Sequence, residues 1–366
     1  MNIVAEKLDL EFAEILSGRR AAHTVLADVA GQIRAQNRII RVSGNLKLTK
    51  SGQHPTHAFL LRDFELERSV YQWIDERVSY RRIMDRYRTF DPELASQTPP
   101  QHYAVRMLAG IGAISSGSNI FMFFPEVIGL DAKSDEDCFG FEFIDIWANI
   151  FRESVFRCWH SVFDFQSRIR LLQTLSCNLD RTIFLAAIFH EIGHRTGYFK
   201  VSPTTNPGLH ISRFQLDILG ELATDSQLVL NLREFPEIAD FVFSQRIFWF
   251  GRRGFGTNPV SAWINQDNDS WISAMLWNRA LADGVIERTG TRYAYHGDRV
   301  HFLFESVLKS VEELGMRLDH LASAELQQAE VELDRAIDAM LATTFRCSSS
   351  WTPWKSAPPK PRLLPS

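Results

Sequence analysis

Arg181-Thr-Ile-Phe-Leu-Ala-Ala-Ile-Phe-His190-Glu191-Ile192-Gly193-His194-Arg195 is the stretch whose reading decides the fold. It holds no proline, and apolar residues from Ile183 through Phe189 to Ile192 cover nearly every face of the helix it predicts. A helix apolar all round is buried. Asp180 stands where an N-cap is expected, and Gly197 where a left-handed residue closes a helix. On such a helix His190 and His194, four residues apart, point the same way, so both imidazoles can reach one metal ion with the Glu191 carboxylate beside it. Two neutral imidazoles and a carboxylate on a buried helix need partners that offset their desolvation, and a metal ion is one.

Catalytic zinc takes three protein ligands and leaves a position for water, so the reading calls for a third ligand. The next helical pattern, Ser212-Arg-Phe-Gln-Leu-Asp217-Ile-Leu-Gly-Glu221-Leu-Ala-Thr-Asp225, supplies candidates. Ser212 can cap it, and Phe214, Leu216, Ile218, Leu219, Leu222 and Ala223 give it a core-facing side. Glu221 and Asp225 are four apart and share a face. An acid one turn from a ligand can hold a metal-bound histidine by its other ring nitrogen, which sets tautomer and orientation.

In these residues, over about 115 to 235, the chain resembles the zincin superfamily of metallopeptidases. It looks most like the gluzincin branch, in which HExxH precedes a Glu-x-x-x-Asp helix. The resemblance implies that His190, His194 and Glu221 are zinc ligands, Glu191 the general base and Asp225 an outer carboxylate. It departs from the pattern in spacing, because the gap from His194 to Glu221 is long and contains Pro203, Pro207 and Gly208. Rival third ligands are His210, in that gap, and Asp217, one turn before Glu221. The start of the longer HExxHxxGxxH motif is present through Gly197, but Lys200 stands where its third histidine belongs.

The mechanism implied is metal-assisted hydrolysis, with Glu191 taking a proton from water and passing it to the leaving amine. Developing oxyanion charge needs a donor. Tyr198 is one candidate, and His296 and His301 in Arg292-Tyr293-Ala-Tyr295-His296-Gly-Asp-Arg299-Val-His301 are others, unless that tract is an ordinary turn and short strand. Upstream, Ile120-Phe-Met-Phe-Phe124-Pro125 reads as a short strand, by default in the core. By analogy with zincin-like enzymes it would be an edge strand that aligns an extended peptide.

Composition bounds the rest. With 366 residues, 45% of them hydrophobic, the chain can bury one large core or two smaller ones. A net charge of −4 offers no broad basic field, and the arginines from Arg77 to Arg88 are interleaved with Asp75, Glu76 and Asp85, which argues against nucleic acid. No run is long and apolar enough for a membrane span, and the first residues lack the pattern of a secretory signal. Cys138, Cys158, Cys177 and Cys347 show no metal-knuckle spacing and suit reduced thiols, so a cytoplasmic protein is expected. The expected fold is α+β and mainly α-helical, with a zincin-like core, a small mixed sheet before the HExxH helix and a helical C-terminal lobe. Its expected parts are an N-terminal helical and mixed segment (1–110), a metal-binding core (111–235), a helical lobe (236–347) and a disordered tail (348–366). Strands are expected near 38–42 and 57–61, and one charged helix from Phe64 to about Arg88. After Asp137 the pattern reads as helical, including Trp271 to Asp283, Val300 to Leu314 and Ala324 to Leu341.

The leading expectation is a hydrolase with one zinc ion acting on a peptide or other amide. Two histidines and a carboxylate also make the facial triad of non-haem Fe(II) oxygenases, in which case a cosubstrate-binding arginine should lie near the metal. A metal-stabilised binding protein without turnover is the third reading. Oligomeric state stays open.

Overall fold

The computed structural model describes residues 13–14, 21–49, 52–96, 99–112, 114, 120–130, 138–200, 213–251 and 268–322. His210, the Ser212 cap, the cluster beyond Gly251 at Arg252 to Phe255, the expected helix from Ala324 and the tail fall outside them.

The first half is built on a sheet. Helix α1 (Ala22–Arg34) precedes a hairpin of β1 (Ile39–Thr49) and β2 (Gly52–Arg62), which extends both expected strands. Thr56, Ala58 and Leu60 are buried at every second position of β2, the period of a strand with one face inward. Two helices follow, α2 (Phe64–Arg77) and α3 (Tyr80–Phe90), where one was expected. The break is at Val78-Ser79, where the backbone turns extended and the Ser79 hydroxyl caps α3 by accepting from the Arg82 N–H.

Strands β3 (Gln101–Gly112), β4 (Phe121–Phe124) and β5 (Phe139–Phe143) complete a mixed five-stranded sheet in the order β1-β2-β3-β5-β4, in which β3 and β5 are parallel and the other pairs antiparallel. The turn at Glu126–Ile128 packs on β1, so the sheet curls around one apolar cluster that takes Val42, Leu60, Val105, Phe124, Phe141 and Ile128 together.

The second half is helical. After β5 the chain runs through α4 (Ile144–Ile150), a π-helical turn at Phe151–Val155, α5 (Phe156–Val162) and α6 (Phe165–Leu175) into α7 (Leu179–Gly193). Helices α8 (Arg213–Asn231), α9 (Pro236–Ser244) and α10 (Asn268–Ala282) follow, then a hairpin of β6 (Ile286–Thr289) and β7 (Arg292–Tyr295), and α11 (Val300–Ala322). The protein is thus α+β and mainly α. Among the described residues no helix is long and apolar enough to cross a membrane.

Helix α7 is the axis of the larger apolar cluster, with α2, α4, α8 and α9 against it and Ile183, Phe184, Leu185 and Phe189 fully enclosed. Its N-cap position is Asn178, two residues before the expected Asp180, which instead pairs with Arg106 of β3 at 2.9 Å and so ties the helix to the sheet. At its other end Tyr87 of α3 stacks on Phe189 and donates to the Phe189 carbonyl at 3.0 Å. Partly buried Ile120 and Trp249 touch both apolar clusters and join the two halves.

Candidate metal centre

The HExxH residues occupy the last turn of α7. Gly193 is required there: a Cβ at that position would stand 2.9 Å from the Thr224 methyl and 3.3 Å from the Thr224 Cα. Its absence lets α8 approach α7 closely, and that approach brings Glu221 and Asp225 over the histidines. The left-handed Gly197 (φ +82°) lies past the helix end, in the turn that leads away from the site.

The two imidazoles meet through His190 Nε2 and His194 Nε2 at 3.1 Å. Lone pairs on two such nitrogens repel unless a proton or cation lies between them. Glu221 closes a triangle through both of its oxygens, with Oε1 3.5 Å from His194 Nε2 and Oε2 3.6 Å from His190 Nε2. Atoms held at ~2.0–2.1 Å by a tetrahedral ion stand about 3.3 Å apart, close to each of these contacts, while the ligand atoms that converge within 4.8 Å are those of His190, Glu191 and His194 and those of His190, Glu221 and Asp225. A Glu191 oxygen lies within 4.8 Å of a ring nitrogen of each histidine, beside the triangle.

Each imidazole is also held from behind. Asp225 Oδ1 sits 3.2 Å from His190 Nδ1, and the Thr224 hydroxyl 3.3 Å from His194 Nδ1. Both rings therefore present Nε2 forward. Burial disfavours the charged form of His190, but the hydrogen bond it donates to Asp225 and the charges of Glu221 and Asp225 outweigh it and raise the pKa to about 9. For Glu221 burial is again opposed, chiefly by the Arg246 guanidinium and then by the two histidines, and its pKa falls to about 2. Asp225 is lowered for the same reasons. A field that stabilises a proton on His190 also attracts a metal ion.

The helical framework resembles that of dipeptidyl-peptidase III. The protein of that name from Caldithrix abyssi aligns with a TM-score of 0.54 and 12% identity, over 87% of this chain and 58% of that one. The one from Corallococcus sp. strain EGB aligns with a TM-score of 0.50 and 12% identity, over 87% and 60%. This chain thus spans under two thirds of either neighbour, and at this identity the likeness is one of fold. The sequence matches no protein-family profile and no curated protein.

The other expected site residues have neighbours of their own. Tyr198 packs its ring base on Gly315 of α11. His296 faces Glu287 of the β6–β7 hairpin at 3.6 Å, and His301 lies on α11 within the field of Arg233. Residues 292–295 form the short strand of the plainer reading. Asp217 joins neither group of converging ligand atoms among the described residues.

Two features escaped the sequence reading. Arg246 is 1% exposed and meets Glu221, Asp225 and Asp269. One charge within Phe241-Val-Phe-Ser-Gln-Arg246-Ile-Phe-Trp-Phe250 was its signal, since a charge in a buried apolar run needs partners. The second is the buried pair of His102 on β3 and Glu142 on β5, with Nδ1 to Oε1 at 3.2 Å and the Phe121 ring of β4 stacked on the imidazole. Burial raises the Glu142 pKa against the His102 hydrogen bond and charge, and the charges of Glu191 and His190 also reach it.

Proposed function

We propose that the chain is a metal-dependent hydrolase of peptide or other amide bonds, with zinc held by His190, His194 and Glu221. The observation that carries the reading is the meeting of two Nε2 atoms at 3.1 Å beneath one carboxylate, whose two oxygens stand 3.5 Å from His194 Nε2 and 3.6 Å from His190 Nε2. A bound ion of this kind lowers the pKa of a coordinated water toward neutrality and polarises a carbonyl. Glu191, beside the triangle, accepts the proton of the attacking water at a carboxylate oxygen and delivers it to the departing amine. Asp225 and Thr224 keep the two Nδ1 atoms engaged, which leaves Nε2 of each ring for the ion.

A peptide substrate is supported by the likeness of fold to proteins named dipeptidyl-peptidase III, and by β4. Among the described residues that strand ends the sheet, and its outer edge can take an extended chain by backbone hydrogen bonds. Phe121 of β4 contacts His102, whose partner Glu142 feels the charges of Glu191 and His190, so the edge lies on the flank of the metal centre. The iron reading needs an arginine free for a cosubstrate. Among the described residues the arginine paired with this cluster is Arg246, and its three nitrogens are engaged by carboxylates.

Elemental analysis of the purified protein with hydrolysis of a peptide library is the test. One zinc per chain and turnover that Glu191→Gln abolishes, with the zinc retained, is the expected result. Iron at stoichiometric occupancy, or turnover that survives Glu191→Gln, overturns it.

A further inference from the structure

Every carboxylate that touches the histidines also touches one guanidinium. Arg246 directs Nη2 to Glu221 Oε2, Nε to Asp225 Oδ2 and, at 2.8 Å, Nη1 to Asp269 Oδ1. The other oxygens of the first two acids face the imidazoles: Glu221 Oε1 toward His194 Nε2 at 3.5 Å and Asp225 Oδ1 toward His190 Nδ1 at 3.2 Å. A planar fork whose nitrogens diverge from one carbon fixes how far apart the carboxylates stand and how each is rotated.

The fork itself is fixed. Its side chain is 2% exposed, Phe250 lies under the guanidinium at 4.9 Å, and the Arg246 carbonyl accepts the Ser273 hydroxyl from α10. The residue sits in the π-helical turn Gln245–Phe250 that continues α9, a widened turn of the sort found at functional positions.

We infer that Arg246 is the positioning residue of the metal centre, setting the rotation of Glu221 toward the ion and of Asp225 toward His190, with Asp269 as its anchor on α10. This rests on the metal reading above and deepens it. A role as mere counter-charge makes the opposite forecast. The guanidinium repels a divalent ion, so without positioning its removal would tighten metal binding.

Arg246→Lys keeps the charge and loses the fork, and is the diagnostic variant. Zinc affinity of the full-length protein is measured by competition with a chromophoric chelator, folding by circular dichroism, and ligand geometry by the visible spectrum of the Co2+-loaded protein. Arg246→Lys is expected to fold, to bind zinc about tenfold or more weakly, in the range for residues that orient metal ligands, and to show an altered Co2+ spectrum. Arg246→Met is expected to weaken zinc binding as well. Wild-type affinity and spectrum in Arg246→Lys, or tighter zinc binding in Arg246→Met, overturns the inference and leaves the metal reading standing. Should neither variant fold, Asp269→Ala carries the test: a weaker zinc affinity by a few-fold with a shifted spectrum supports positioning, and no change in either overturns it. Wild-type protein that takes up neither zinc nor cobalt overturns the metal reading, and this inference with it.

Discussion

Thr224 shows how single side chains make the centre. Its hydroxyl holds His194 Nδ1 at 3.3 Å while its methyl lies where a Cβ of residue 193 would go. Thr224→Val keeps shape and loses the hydroxyl, so zinc affinity should fall about tenfold with stability nearly unchanged, as a chelator titration beside a urea melt would record. Gly193→Ala gains helix propensity but drives a methyl into Thr224. The overlap wins, and the expected loss is about 1–2 kcal/mol in denaturant unfolding, with weaker zinc binding because α8 is pushed back. Glu142 tests the electrostatics. Its folded pKa is raised, first by burial, above its ordinary 4.5, so its contribution to stability is complete below 4.5 and is lost as pH rises through the folded value. Glu142→Gln mimics the neutral acid at all pH. The variant should melt above wild type at pH 8, with the difference closing as pH falls below 4.5, and a lower melting temperature at pH 8 would contradict a raised carboxyl pKa.

At the level of elements, α7 joins the site to the core, and α3 clamps it through Tyr87. Tyr87→Phe retains the stack on Phe189 and loses the 3.0 Å bond to its carbonyl, so urea unfolding should register a loss of about 1 kcal/mol with zinc affinity unaltered. A loss of zinc affinity would show instead that the clamp shapes the site. Helix α7 was legible because fifteen residues without a breaker carried a continuous apolar surface and a spaced polar motif. The β1–β2 hairpin was legible in part, from alternation. β5 was not: Phe139-Gly-Phe-Glu-Phe143 is buried at all five positions, between parallel β3 and antiparallel β4, and a strand covered on both faces has no period of two to read. The turn at Gln245–Phe250 was hidden for another reason. A π-helical turn changes the hydrogen-bond step without a composition of its own, so sequence spacing could not place Arg246 against Glu221, 25 residues earlier.

For the molecule as a whole, the position of the centre ties metal binding to global stability. The candidate ligands come from α7 and α8, both walls of the larger apolar cluster, which also takes in α2, α9, α10 and α11. The sheet-centred cluster meets it through Ile120, Trp249 and the pairing of Arg106 with Asp180. An ion that bridges α7 and α8 therefore binds the folded chain and not the unfolded one, and stabilises it by mass action: about 2.7 kcal/mol at a free concentration one hundred times Kd. The melting temperature should rise with zinc and fall back when a chelator is added. Glu191→Gln should keep the whole shift, because Glu191 stands beside the triangle and is no corner of it, while His194→Ala should lose it. A cluster that closes on itself through Arg246 would behave otherwise. Its melting temperature would ignore both zinc and chelator, and His194→Ala would change stability by the same amount whether metal was present or absent.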